Sequence, residues 1–157
     1  MKLDASKGIK TASVKNVKSC DGRDGIAWSG TLYLNGKRAA LVRDSGDGGE
    51  INFDWHPSGH GFHGGELAKA FDIYAAAQPP IEADPEYDIP ECPCEAGILV
   101  SRLCDEYEEA KQIKRLCRTN IVCRTSDGQL VAYKAKATTL NRAMLAKRHP
   151  GYTILNP

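Results

Sequence analysis

Two alternating runs, Ser29-Gly30-Thr31-Leu32-Tyr33-Leu34 and Lys37-Arg38-Ala39-Ala40-Leu41-Val42-Arg43, are separated only by Asn35-Gly36. This dipeptide tolerates the positive φ angles of a type I′ turn, whose twist matches that of the strands it joins. A two-residue turn predicts one register, with Leu34 opposite Lys37, Leu32 opposite Ala39 and Gly30 opposite Leu41. Trp28, Leu32, Leu34, Ala39 and Leu41 then share one face, and Tyr33 and Arg38 share the other. One face of the hairpin is expected to be buried, so the rest of the chain must supply what covers it.

Further elements follow from periodicity. Thr11 to Lys18 alternates and reads as a first strand after a mobile leader over residues 1–10. Past the glycine-rich segment Asp44 to Glu50, Ile51, Phe53 and Trp55 alternate with polar residues and should point inward from another strand. Glu66 to Gln78 carries Leu67, Ala70, Phe71, Tyr74 and Ala77 at helical spacing and is stopped by Pro79-Pro80. Residues 79–97 are proline-rich and acidic and read as an exposed loop. Ile98 to Cys117 reads as a second helix, Asn120 to Ala135 as a second hairpin about Ser126-Asp127-Gly128-Gln129, and Leu140 to Arg148 as a last helix. The order implies a single α+β domain over 1–157, an antiparallel sheet of hairpins with about three helices packed on it.

A chain of 157 residues with 41% hydrophobic and 26% charged residues is long enough to bury a core without staples. No long apolar run suggests a signal peptide or a membrane span, so a cytoplasmic protein with no membrane partner is expected. Cys20, Cys92, Cys94, Cys104, Cys117 and Cys123 lack framework spacing and are expected as reduced thiols. The net charge of +1 hides a division. Between Ile81 and Ala110 ten acidic residues face the single base Arg102, and from Lys111 onward ten basic residues face the single acid Asp127. Such a division suits internal pairing, head-to-tail association or a patch for a charged partner. An exposed hairpin edge also suits a symmetric homodimer.

Three groups of residues are candidates for chemistry. His56, His60 and His63, with Cys92 or Cys94, offer nitrogen and thiolate ligands for zinc, although Cys92-Pro93-Cys94 is spaced more tightly than a zinc knuckle. Solvent-facing histidines in a loop are the simpler reading, and no cofactor is expected. The loop Asp44 to Glu50 lacks the lysine of a phosphate-binding loop and the spacing of a calcium loop, and reads as a strand-connecting turn with a partner-contacting tip. Tyr33 and Arg38 on the outer face of the hairpin, with Asp44, Asp47 and Glu50, are therefore expected to meet a partner. In the basic third, Arg124, Lys134, Lys136, Arg142, Lys147 and Arg148, with Tyr133 and Tyr152 as stacking platforms, make a candidate nucleic-acid surface. The overall isoelectric point of about 7.6 is well below that of a dedicated nucleic-acid binder. No nucleophile–base pair, paired-carboxylate motif or Gly-x-Ser-x-Gly elbow is present, and the chain is expected not to be an enzyme.

Leu32 to Gly49, Asn120 to Arg124 with Asp127 to Tyr133, and the closing Pro150-Gly151-Tyr152-Thr153-Ile154-Leu155-Asn156 resemble a family of small uncharacterised proteins of tailed phages and prophages. The His56 to His63 loop and Cys92-Pro93-Cys94 depart from that pattern. The resemblance brings no catalytic residues. It implies an accessory protein in the host cytoplasm that binds and inhibits a host protein or protein–nucleic-acid complex, such as a defence nuclease or CRISPR complex. The alternative is a nucleic-acid-binding accessory protein using the basic third.

Overall fold

The computed structural model describes residues 8–22, 24–56, 65–86, 88 and 90–157. The fold is α+β, with a four-stranded and a three-stranded antiparallel sheet and three helices. Its contacts fall into two compact units, residues 1–107 and 108–157.

In the first unit β1 (Ala12–Asp21), β2 (Ile26–Leu34), β3 (Lys37–Asp44) and β4 (Asn52–Trp55) lie side by side in chain order. The Asn35-Gly36 turn forms as expected, with φ of 50° and 75°. Asn35 also clamps the preceding chain. Its Oδ1 accepts the Lys10 and Thr11 N–H groups at 2.8 and 3.1 Å, and its Nδ2 donates to the Gly8 carbonyl at 3.0 Å. Residues 8–10, expected to be mobile, are thus tied to the hairpin; residues 1–7 lie outside the described residues.

The predicted hairpin register holds for two pairs and then changes. Leu34 faces Lys37 and Tyr33 faces Arg38, but Leu32 faces Ala40 and Gly30 faces Val42. Ala39 is an extra residue in β3, a bulge. Beyond it Val42 is fully buried and Leu41, the residue expected in the core, is only half-buried. The bulge forms where both successive side chains are methyl groups, so Ala39 and Ala40 are both buried without crowding. A second bulge in β1, between Lys15 and Lys18, places Asn16 at φ 57° and lets Val14 and Val17, three residues apart, both face the core.

Helix α1 (Gly65–Ala76) covers this sheet with Leu67, Phe71 and Ala75, which recur every four residues and are all buried. Helix α2 (Ala96–Leu116) begins two residues before the expected start and adds Leu99, Val100 and Cys104 to the same core. Ile51, Phe53 and Trp55 pack against that core, as their alternation predicts.

At the end of the sheet away from Asn35, two turns lock onto each other through their backbones. Gly22 N–H donates to the Gly25 carbonyl at 2.7 Å, and Asp24 N–H donates to the Gly46 carbonyl at 3.2 Å. Gly46 has φ of 68°, and a Cβ there would lie 2.7 Å from Ala27 N and 2.9 Å from Ile26 C. Gly46→Ala is therefore expected to cost about 1–2 kcal/mol from the left-handed conformation alone, and the backbone clash must also part the two turns. Thermal unfolding, with amide exchange at Asp24, measures both effects.

In the second unit β5 (Ile121–Arg124) is flanked by β6 (Leu130–Tyr133) and β7 (Thr153–Ile154). The hairpin β5–β6 matches the expected one, with Ile121 facing Tyr133 and Arg124 facing Leu130. Helix α3 (Thr139–Arg148) is capped by Thr138, whose Oγ1 accepts the Asn141 N–H at 3.2 Å. The buried Asn156 joins three segments. Its Oδ1 accepts the Val122 N–H at 2.7 Å, and its Nδ2 donates to the carbonyls of Asn120 at 2.8 Å and Cys117 at 3.4 Å. All six cysteines are free thiols.

Candidate functional site

The two units carry opposite charge. Residues 1–107 hold eleven basic and seventeen acidic side chains, a net −6, and residues 108–157 hold ten and three, a net +7. The division read along the sequence thus follows the structural one.

The candidate partner-binding residues on the first hairpin are not brought together. Tyr33 and Arg38 pair beside the Asn35-Gly36 turn, with Lys15 Nζ 5.2 Å from the Tyr33 ring centroid. Asp44 ends β3, about 20 Å along the strand at roughly 3.3 Å per residue, and Asp47 and Glu50 lie in the loop beyond it. Asp44 Oδ1 accepts the Gly46 N–H at 2.8 Å. Asp47 Oδ1 accepts the Gly49 N–H at 3.1 Å and the Ser45 hydroxyl at 3.0 Å, which hold its carboxyl below the ordinary aspartate value of 3.8. A folded-state value that is lowered means the loop gains from this carboxylate above the unfolded value and loses the gain as pH falls through the lowered one. The Asp47 carboxyl is expected to titrate below 3.8 by NMR. Gly49 amide exchange should quicken, relative to its intrinsic rate, only beneath that transition.

Between β1 and β4 the register aligns Lys18, Ser29, Arg43 and Asn52 across all four strands. With Trp28, Phe53 and Asp54 they line an open trough of about 750 Å³, and Arg43 Nη2 lies 3.8 Å from Asp54 Oδ2. Pairing across four strands is invisible until the bulges fix the register, and these residues were not candidates from sequence.

The zinc candidates are dispersed or lie outside the described residues, as His60 and His63 do. His56 is exposed beyond β4. Cys92 is half-buried, and the buried Cys94 Sγ lies 3.7 Å from Arg102 Nη1 and 3.8 Å from the Glu95 carbonyl. Among the described residues no group of three His, Cys, Asp or Glu side chains is placed to hold a metal ion.

The acidic segment has a closed base. Ile81 N–H donates to the Cys92 carbonyl at 2.9 Å and Cys92 N–H returns a bond to the Ile81 carbonyl at 3.3 Å. Arg102, the one base in this stretch, donates to the carbonyls of Pro79 at 2.8 Å and Pro80 at 3.1 Å. It therefore fixes the diproline and makes no ion pair with the acids among the described residues. Glu82, Glu86, Asp88 and Glu91 are exposed, and the half-buried Asp84 accepts the Glu86 N–H at 3.0 Å.

The six basic candidates of the second unit divide into two kinds. Arg124 forks onto Glu109 at 3.1 and 3.0 Å and donates to the Gly128 carbonyl at 3.1 Å; the carboxylate raises its already high pKa. Arg142 donates to the carbonyls of Ala137 at 3.2 Å and Pro157 at 2.5 Å. Both arginines hold structure. Lys134, Lys136, Lys147 and Arg148 are exposed and make no ion pair among the described residues. Lys134 and Arg148 line a groove of about 270 Å³ between β6 and α3 with Tyr133, Asn141, Met144 and Leu145. Tyr133, His149 and Tyr152 form a ladder of rings, with centroids 5.8 and 4.6 Å apart. Burial, then Tyr152 and Cys123, push the Tyr133 hydroxyl up.

No known family, curated protein or solved structure matches the chain. Among the described residues no helix is long and apolar enough to cross a membrane.

Proposed function

We propose that the protein is a non-catalytic accessory protein of the phage type its sequence resembles, which binds and inhibits a host protein in the host cytoplasm. The observation that carries this reading is the loop 81–92, closed at its base and bearing five carboxylates with no base among them. Five carboxylates on one loop offer a partner the charge of a nucleic-acid strand. It suits the basic groove of a nuclease or CRISPR-type complex, where charge complementarity speeds encounter and fixes orientation. Capture from host lysate with and without nuclease tests this, with a loop variant bearing E82Q, D84N, E86Q, D88N and E91Q in parallel. A single protein partner that survives nuclease and is lost with the variant is expected. A partner retained by a folded variant would overturn the role of the loop, and loss of all partners on nuclease treatment would overturn the reading.

A second reading is direct nucleic-acid binding by residues 108–157. It is favoured by their net +7 and by four cations that make no ion pair among the described residues. Four phosphate contacts would give log K against log salt a slope of about −3 on single strands.

A further inference from the structure

We infer that the groove between β6 and α3 is a site for single-stranded nucleic acid. In it an unstacked base enters against Tyr133 and Met144, and the flanking phosphates are held by Lys134 and Arg148. The inference rests on the second reading above and goes beyond it by naming the strand state and the residues that select it.

The groove combines features that a phosphate-only surface does not need. Its volume of about 270 Å³ is below the range of drug-sized pockets and leaves room for one planar ring. Its apolar lining joins Ile121 and Tyr133 of the sheet to Met144 and Leu145 of α3, a helix that has no buried residue and leaves Met144 54% exposed. A methionine thioether is polarisable and packs against ring faces of varied shape. Tyr133 is held from outside the groove by His149, which itself stacks on Tyr152. The platform is thus ordered before a ligand arrives, which lowers the cost of binding. Asn141 also lines the groove; its Nδ2 donates to the Lys136 carbonyl at 2.9 Å, and its side-chain oxygen remains as an acceptor for a base edge.

The cations give the charge argument. Arg124 and Arg142 are committed to a carboxylate and to backbone carbonyls, whereas Lys134 and Arg148, on the groove itself, pair with no acid among the described residues. An anionic occupant is the complement. A duplex offers such a surface only phosphates, because its bases are stacked inside, while a single strand offers phosphates and ring faces together.

The test is fluorescence anisotropy on the full chain with a labelled single strand of about twelve nucleotides, within the usual span of such sites, and a duplex of the same sequence. The single strand is expected to bind at least about tenfold more tightly, the factor that stacking one base can supply. Lys134→Glu with Arg148→Glu should abolish both affinities. Met144→Gln, which adds no charge beside the phosphates, should lower single-strand affinity severalfold and leave the duplex unchanged, with circular dichroism confirming that the variants fold. Equal affinity for both forms, or a folded Met144→Gln protein with unchanged binding, would overturn this inference and leave nucleic-acid binding standing. No binding of either form would overturn both.

Discussion

Phe71→Ala is expected to lower the stability of the protein by about 3–5 kcal/mol, the range for removing a fully buried aromatic ring. Phe71 is wholly inaccessible to solvent. Its ring lies 6.1 Å from Phe53, 6.0 Å from Trp55 and 6.3 Å from Tyr74, with the Phe53 and Trp55 rings stacked at 5.6 Å. These contacts join α1 to the edge strand β4. The neighbours on the same helical face, Leu67 and Ala75, are held by their own positions on the helix and cannot close a cavity of that size. Urea unfolding followed by tryptophan fluorescence is the direct measurement, because Trp55 touches the site. A midpoint shift at unchanged slope is expected. A loss under about 1 kcal/mol would show that the aromatic cluster relaxes around the gap and does not anchor β4.

Asn156→Ala is the second large effect, at about 1–3 kcal/mol. The penalty comes less from the lost hydrogen bonds than from the groups left behind. The Val122 N–H is buried in a central strand and has no other acceptor once the Asn156 oxygen is gone. Asn156→Asp should be worse. It keeps that acceptor but replaces the donor to the Asn120 and Cys117 carbonyls with a second oxygen facing two others. Hydrogen exchange at the Val122 amide reads the local effect and chemical denaturation the global one. An Asp variant as stable as the Ala variant, or more so, would overturn that order and show that the retained acceptor offsets the repulsion at the two carbonyls.

Features that depend on neighbouring residues were legible in the sequence. Asn35-Gly36 set the turn type, and the helical spacing of Leu67, Ala70, Phe71 and Tyr74 set the face of α1, although Ala75 is the buried alanine that completes it and the expected Ala77 is exposed. The bulge at Ala39 was not legible, because two consecutive alanines fit either phase of the alternation. Two-residue β7 is too short to alternate at all. The same distinction governs the candidate sites. The charge division is a property of composition and could be read directly. Which cations are available could not, since Arg124 finds Glu109 fifteen residues away and Arg102 reaches back twenty-two and twenty-three residues to the diproline. Tyr133 and Tyr152 were read as separate stacking residues; the structure joins them through His149, which carried no signal of its own.

The bulge at Ala39 bears on how the chain length of this hairpin can vary. Removing one alanine of the Ala39-Ala40 pair yields the same sequence whichever is lost, and it brings Arg38 and the remaining alanine into regular opposition to Tyr33 and Leu32. Every side chain from Leu41 onward would stay on its present face. A deletion elsewhere in β3 would exchange the two faces downstream of it. The alanine pair is therefore a position at which the gene can lose a codon while the core and the polar rung of Lys18, Ser29, Arg43 and Asn52 keep their composition.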